Sequence, residues 1–458
     1  MNKIHVSEAI GVSPPSRCMR LALGFVIASG LLGCSQNDGA TATNPELTSA
    51  GQSAAGNGGA LAVAGTASGG TETGGTGLGG SAMSDAGSAG TATGGAGGVA
   101  VGVGGYTSSA DDPGTEGDGI FQVPQPFKAA PEFQRGSGVP QGDLIRFTIP
   151  TSTIYPNAHD RKIAAYVPKQ YQVGKPAPVM VIQDGTDFYG FDGAFPPVFD
   201  NLIAQNKIPP MVVVFTGNGG GDSVGSERGL EYDTVSGLYA EWADKELLPA
   251  VEAATKMQKP DRAVTFTKDP EGRGSLGGSS GGAASFSMLW WRPDLFRRVI
   301  TFSGTYVSQV PKTSPFPNGA WIYHDQDPYN EPAPNGLIAA FCESASGPKT
   351  TSAVEACDTP LNESACMAVA GCAWNTKANK PLRVWLEAGT NDNGASGTPA
   401  GHRNFKLASE RMAQALKTRG YHVHFDECAG AGHVDQGPIR QTLPAALIWL
   451  WRGFKSAP

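Results

Sequence analysis

Gly272-Arg-Gly-Ser-Leu-Gly-Gly-Ser-Ser-Gly-Gly-Ala-Ala-Ser-Phe-Ser-Met-Leu-Trp-Trp-Arg292 is the stretch that decides how this chain is read. The pattern G-x-S-x-G places a serine on a sharp turn between a strand and a helix, where glycines spare the turn the Cβ atoms that would collide. It fits twice, as Gly277-x-Ser279-x-Gly281 and as Gly278-x-Ser280-x-Gly282. Ser279 is the better nucleophile candidate, because two glycines and then Ala283 and Ala284 follow it and let the new helix pack closely on a sheet. The competing reading is a plain Gly/Ser loop in a chain with 63 glycines. An amphipathic helix through Trp291 and a short apolar run from Arg297 to Ser303 are expected next, and they favour the turn.

Outward from that stretch the chain alternates strands and helices. Residues 144–149 and 162–167 read as an edge hairpin. Residues 178–184 and 211–216 are continuous apolar runs, as parallel strands covered on both faces require, with a helix predicted over 198–205 between them. Apolar positions over 236–255 have helical spacing, and Pro249 should kink or break that element. Arg228 and Glu231, three residues apart, are expected to pair and order their loop rather than to face substrate. The rhythm lapses after about residue 311 and resumes with a strand at 382–387, a helix over 404–418 capped by Gly420, a strand at 421–425 and a closing helix at 443–451. The fold class is therefore α/β, with a mostly parallel sheet flanked by helices.

The chain ahead of this domain has a different composition. Arg17 and Arg20 precede an apolar run over 21–32, and Leu31-Leu32-Gly33-Cys34 has the form of a lipoprotein signal, with Cys34 as the lipidation site and residues 1–34 as the leader. Residues 35–119 are Gly, Ala, Ser and Thr with few large apolar side chains, so they cannot offset the entropy of ordering and read as a disordered tether. The folded domain is placed at 120–458, opening on a Pro- and Gly-rich lead-in. Export and anchoring to the cell envelope through the N-terminal lipid follow. A net charge of −7 with no basic block argues against nucleic acid as a partner.

Of seven cysteines, Cys342, Cys357, Cys366 and Cys372 cluster in a Pro- and Asn-rich insert at 340–378. Export and the absence of histidine among them favour disulfides over a metal site. Four cysteines allow three connectivities. Cys428 is left over as a free thiol or as a partner to one of the four.

A nucleophilic serine needs a base, a carboxylate to orient it and donors for the developing oxyanion. His433 lies in a Gly-rich loop between the last strand and the last helix. Asp392 follows a strand end and is preferred as the orienting acid over Glu387 and Asp426. His422 and His424 alternate along a strand and read as one of its faces. The oxyanion donors would be the backbone N–H groups of Ser280 and Thr186.

In the order Gln183-Asp-Gly185, Phe199-Asp-Asn-Leu-Ile203, Arg228-Gly-Leu-Glu-Tyr-Asp233, Glu246-Leu-Leu-Pro249, Asp269-Pro-Glu-Gly-Arg273, Gly277 to Gly282, Arg292-Pro-Asp-Leu-Phe296 and Gly432-His433, the chain resembles the esterase family of enterochelin esterases, esterase D and bacterial feruloyl and acetylxylan esterases. The resemblance implies an α/β-hydrolase fold and a serine carboxylesterase without metal or organic cofactor. It places the nucleophile on Ser279, the base on His433 and the acid on Asp392. The expected substrate is a small-molecule or polysaccharide-linked ester. Two other functions fit the same residues, namely acyl transfer to an alcohol acceptor and a surface binding module on a hydrolase scaffold that has lost catalysis.

Overall fold

The computed structural model describes residues 112–186, 188–222, 225–308, 319–324, 337–338, 341–344, 363–375, 379–396 and 403–455. The leader, Cys34, nearly all of the tether and Cys357 lie outside the described residues.

Nine strands form one sheet: β1 (Gly119–Val123), β2 (Asp143–Thr151), β3 (His159–Val167), β4 (Val179–Gln183), β5 (Val212–Thr216), β6 (Arg273–Gly278), β7 (Arg298–Phe302), β8 (Arg383–Gly389) and β9 (His422–Cys428). Their spatial order is β1-β9-β8-β7-β6-β4-β5-β3-β2. Only β3 runs against its neighbours β2 and β5, and every other pairing is parallel. Leaving β1 aside, this is the sheet of an α/β hydrolase, as the sequence pattern implied.

The central strands alternate between two cores. Val179, Val181, Val212 and Val214 face one layer, and Met180, Ile182, Val213 and Phe215 face the other. Both faces are covered, so these eight positions are all apolar, and Gln183 and Thr216 come only at the carboxyl ends of the two strands. The helices Leu248–Gln258, Ser280–Trp291 and Phe405–Thr418 cover the first face, while Pro196–Ala204 and Gln436–Trp451 cover the second.

Four local expectations change. The helix after Ser279 is not amphipathic: every residue from Ser280 to Trp291 is buried, because it lies between the sheet and further helices. Pro249 does not end its helix. The chain passes through a π-helical turn, Ala243–Leu247, and Pro249 falls at the start of the next helical segment, where its missing N–H is tolerated. The lead-in contains β1, whose short sequence GIFQV carries no alternation of its own and is held by pairing Gly119–Val123 with His424–Cys428. The body also starts a little earlier than residue 120: β1 begins at Gly119, and the Asp118 carboxylate accepts from His422 Nδ1 at 2.8 Å.

Within the insert, Phe341–Ser344 and Cys372–Asn375 pair as an antiparallel hairpin, with Cys342 opposite Trp374. Cys366 and Cys372 are buried and disulfide-bonded. Cys428 is a buried free thiol.

Candidate active site

The carboxyl ends of β4, β6, β7 and β8 converge on one place, the usual site of chemistry in an open parallel sheet. Ser279 follows β6 directly with φ 55° and ψ −129°, a left-handed conformation that a non-glycine residue adopts only where its surroundings impose it. The turn around it is closely packed. A Cβ on Gly277 would stand 2.3 Å from the carbonyl of Gly281, and one on Gly278 would stand 2.8 Å from Val434 Cγ1. Only glycine lets the turn close that tightly. The backbone is tied to the next strand through Ser279 N–H donating to the Phe302 carbonyl at 2.9 Å.

His433 stands over this turn. Its Nε2 is 2.9 Å from Ser279 Oγ and its Nδ1 is 2.6 Å from Asp392 Oδ1. With the ring proton on Nδ1, that nitrogen donates to the carboxylate and Nε2 accepts the serine proton. Phe405 meets the imidazole edge to face at 4.8 Å and limits its tilt. The Asp392 carboxylate is buried, also accepts from Asn393 N–H at 2.7 Å, and its Oδ2 has no hydrogen-bond partner among the described residues.

The two rival carboxylates are elsewhere. Glu387 is inside β8 and accepts from Thr442 Oγ1 at 2.5 Å, with burial raising its pKa to about 8. Asp426 accepts from His424 Nε2 at 2.9 Å. Ser280, the rival serine, is the first helical residue and is 1% exposed. Its hydroxyl is 3.5 Å from Thr305 Oγ1 and bonds to the Asp233 carboxylate, whose pKa burial raises to about 6.

Thr186 lies in the turn after β4, where its backbone accompanies the strand end. That turn is braced by a pair that sequence reasoning missed. Arg228 Nε and Nη2 both donate to Asp184 Oδ2, at 3.0 and 2.7 Å, and Asn218 Nδ2 donates to Oδ1 at 3.0 Å. Glu231 instead pairs with Arg161 at 2.5 Å, and burial raises its pKa to about 7. Arg228 and Glu231 therefore do not pair with each other. Both lie on the short helix Glu227–Tyr232, and each meets a distant partner, Asp184 in the turn after β4 and Arg161 in β3. Phe188, half exposed, covers the Arg228 guanidinium at 4.9 Å.

The arrangement holds a hydroxyl, a base and an oriented carboxylate in one hydrogen-bonded line, with a helix N-terminus beginning at the residue after the serine. No cluster of three or more metal-ligating side chains occurs among the described residues, and none of their helices is long and apolar enough to cross a membrane.

Residues 157–450 match the family described as "Putative esterase". No curated protein matches the chain. Among solved structures, the chain is similar to the ferric enterobactin esterase of Salmonella typhimurium, at 18% identity over 69% of this chain and 61% of that one, with a TM-score of 0.43. It is also similar to the enterochelin esterase of Shigella flexneri, at 20% identity over 70% and 61% with a TM-score of 0.41, and to a variant of a feruloyl esterase module from Clostridium thermocellum, at 13% identity over 73% and 97% with a TM-score of 0.41. The chain spans about three fifths of the length of the enterobactin esterases. With the match running from just before β3 into the last helix, this chain belongs to the esterase family.

Proposed function

We propose that this protein is a serine carboxylic-ester hydrolase acting through an acyl-enzyme, with Ser279 as nucleophile, His433 as base and Asp392 as the orienting acid. The observation that carries the reading is the line Asp392 Oδ1, His433 Nδ1, His433 Nε2, Ser279 Oγ, with gaps of 2.6 and 2.9 Å at its two hydrogen bonds. In this mechanism Ser279 Oγ attacks the ester carbonyl while His433 Nε2 takes its proton, and Asp392 stabilises the imidazolium. The oxyanion is met by the backbone N–H groups of Ser280 and Thr186. His433 then passes the proton to the departing alkoxide. Water, deprotonated by the same nitrogen, attacks the acyl-enzyme and regenerates Ser279.

The proposal extends to place. Cys34 carries the lipid, the residues after it form a tether, and the substrate is a small-molecule or polysaccharide-linked ester outside the cytoplasm. Disulfides among Cys342, Cys357, Cys366 and Cys372 pin the insert before β8. The sequence pattern supports the first part, and the disulfide-bonded state of Cys366 and Cys372 supports the last.

The test is to incubate the protein with a fluorophosphonate and read the labelled peptide by mass spectrometry. Labelling at Ser279 that disappears in His433→Ala is expected. A folded sample that stays unlabelled while a control serine esterase reacts would remove the mechanism.

A further inference from the structure

The turn Ser303-Gly304-Thr305, which leaves the carboxyl end of β7, touches Ser279 and the residue that follows His433. Ser303 Oγ accepts a hydrogen bond from Val434 N–H at 3.0 Å, next to His433 in the chain. Thr305 N–H donates to the Ser279 carbonyl at 3.0 Å, and Thr305 Oγ1 is 3.3 Å from Ser279 Oγ. Gly304 lies between them, and its Cα is 3.1 Å from where a Cβ on Gly282 would stand.

The backbone marks the same place. Ser303 has φ 48° and Val434 has φ 49°, and for a β-branched residue such as valine that value is an outlier that only surrounding structure sustains. Both are buried, at 2% and 7% exposure. Val434 Cγ1 fills the space that a Cβ on Gly278 would take, so the histidine loop is wedged against the residue before the nucleophile.

We infer that Ser303 and Thr305 are positioning residues, and that this turn sets Ser279 and His433 in register with each other. This deepens the reading above and rests on it. With the Ser279 proton directed at His433 Nε2, the Thr305 hydroxyl is the donor toward Ser279 Oγ. It thereby fixes the serine rotamer and supports charge building on Oγ. The 3.3 Å gap is long for such a bond, as is usual before substrate is bound. Ser303 acts at the other end. By holding Val434 N–H it sustains the unfavourable φ that turns His433 back over the elbow. Sequence spacing gives no sign of either role, since 303 and 434 are 131 positions apart.

The experiment compares Ser303→Ala, Thr305→Val and the double variant with wild type on 4-nitrophenyl acetate. Rates are referred to active sites counted with a fluorophosphonate, so that unfolded molecules do not contribute. Each single variant is expected to lose about tenfold in kcat with KM unchanged, because a small misplacement of reacting groups slows the chemical step without weakening substrate binding. The double variant should lose less than the product of the two, as residues serving one geometry do. Unchanged kcat in both variants, a loss confined to one of them, or a loss seen only in KM overturns the inference.

A second reading is independent of turnover. In wild type, the His433 Nδ1 proton shared with Asp392 should give a low-field proton resonance that is absent in His433→Ala. Ser303→Ala should broaden or shift it. If wild type turns over no ester, the proposed function fails, and this resonance alone decides the inference. A resonance identical in wild type and Ser303→Ala then overturns it.

Discussion

The two ends of the sheet are built for opposite purposes. At the carboxyl ends of the strands, Asp184, Ser279 and Ser303 each hold a left-handed φ immediately after β4, β6 and β7. At the amino ends, β6, β7 and β8 begin with Arg273, Arg298 and Arg383. These arginines are buried and clamped. Arg273 donates to the Thr267 carbonyl and to Asp244, both at 2.7 Å. Arg298 donates to the Glu271 carbonyl at 2.7 Å, to its carboxylate at 3.0 Å, and to the Leu450 carbonyl. Arg383 donates to the Trp449 carbonyl at 2.8 Å and lies over that ring. One end stores strain, at about 1–3 kcal/mol per residue, to present reactive groups. The other ties strands and helices together with charge-assisted hydrogen bonds. On the proposed function, activity and stability are separable by position along the same strands.

The sharpest test of that separation is Ser279→Ala. It should lower ester hydrolysis by about 10⁵-fold or more while the melting temperature stays nearly the same, since alanine keeps the strained backbone and loses only the hydroxyl contacts with His433 and Thr305. An active Ser279→Ala variant would break the comparison at its strained end.

Arg298→Met tests the other end. It leaves several buried acceptors unsatisfied and should cost about 3 kcal/mol in denaturant unfolding, with kcat per titrated active site unchanged. Equal stability in the variant would show that the clamp is ornamental.

Glu387 probes the middle of β8. Its folded pKa of about 8 lies above the unfolded value, so its contribution to stability is fully present in acid and is lost as pH rises through the folded pKa. Thermal melts of wild type and Glu387→Gln should therefore coincide more closely at pH 5 than at pH 9, where the variant should be the more stable. A difference that does not change with pH would remove buried ionisation as the cause.

The smallest effect is expected from Ser280→Ala. It keeps the backbone N–H assigned to the oxyanion and loses only side-chain contacts with Thr305 and Asp233, so kcat should stay within about threefold of wild type. Loss of labelling in this variant would move the nucleophile to the wrong serine.

The three residues of the hydrogen-bonded line were legible because each belongs to a local pattern. Ser279 has its glycines, Asp392 its strand end and His433 its Gly-rich loop. The strands around them were legible because burial on both faces demands apolar runs. What escaped was whatever depends on distant parts of the chain. Arg228 and Glu231 suggested a pair by spacing, yet Asp184 and Arg161 reach them first. Strand β1 has no pattern of its own and exists only against β9. The helix after Ser279 seemed to need a polar face until other helices covered it.

By itself the sequence determined the alternation of strands and helices and singled out Ser279, Asp392 and His433, the three residues that the fold brings into one hydrogen-bonded line, because periodicity and turn chemistry are local properties of neighbouring residues. Tertiary structure alone decided which charges pair, which edge gains a strand, and that Ser303 and Thr305 meet Val434 and Ser279. Those outcomes depend on which of several compatible partners arrives within about 3 Å, and hydrogen bonds form only at that range.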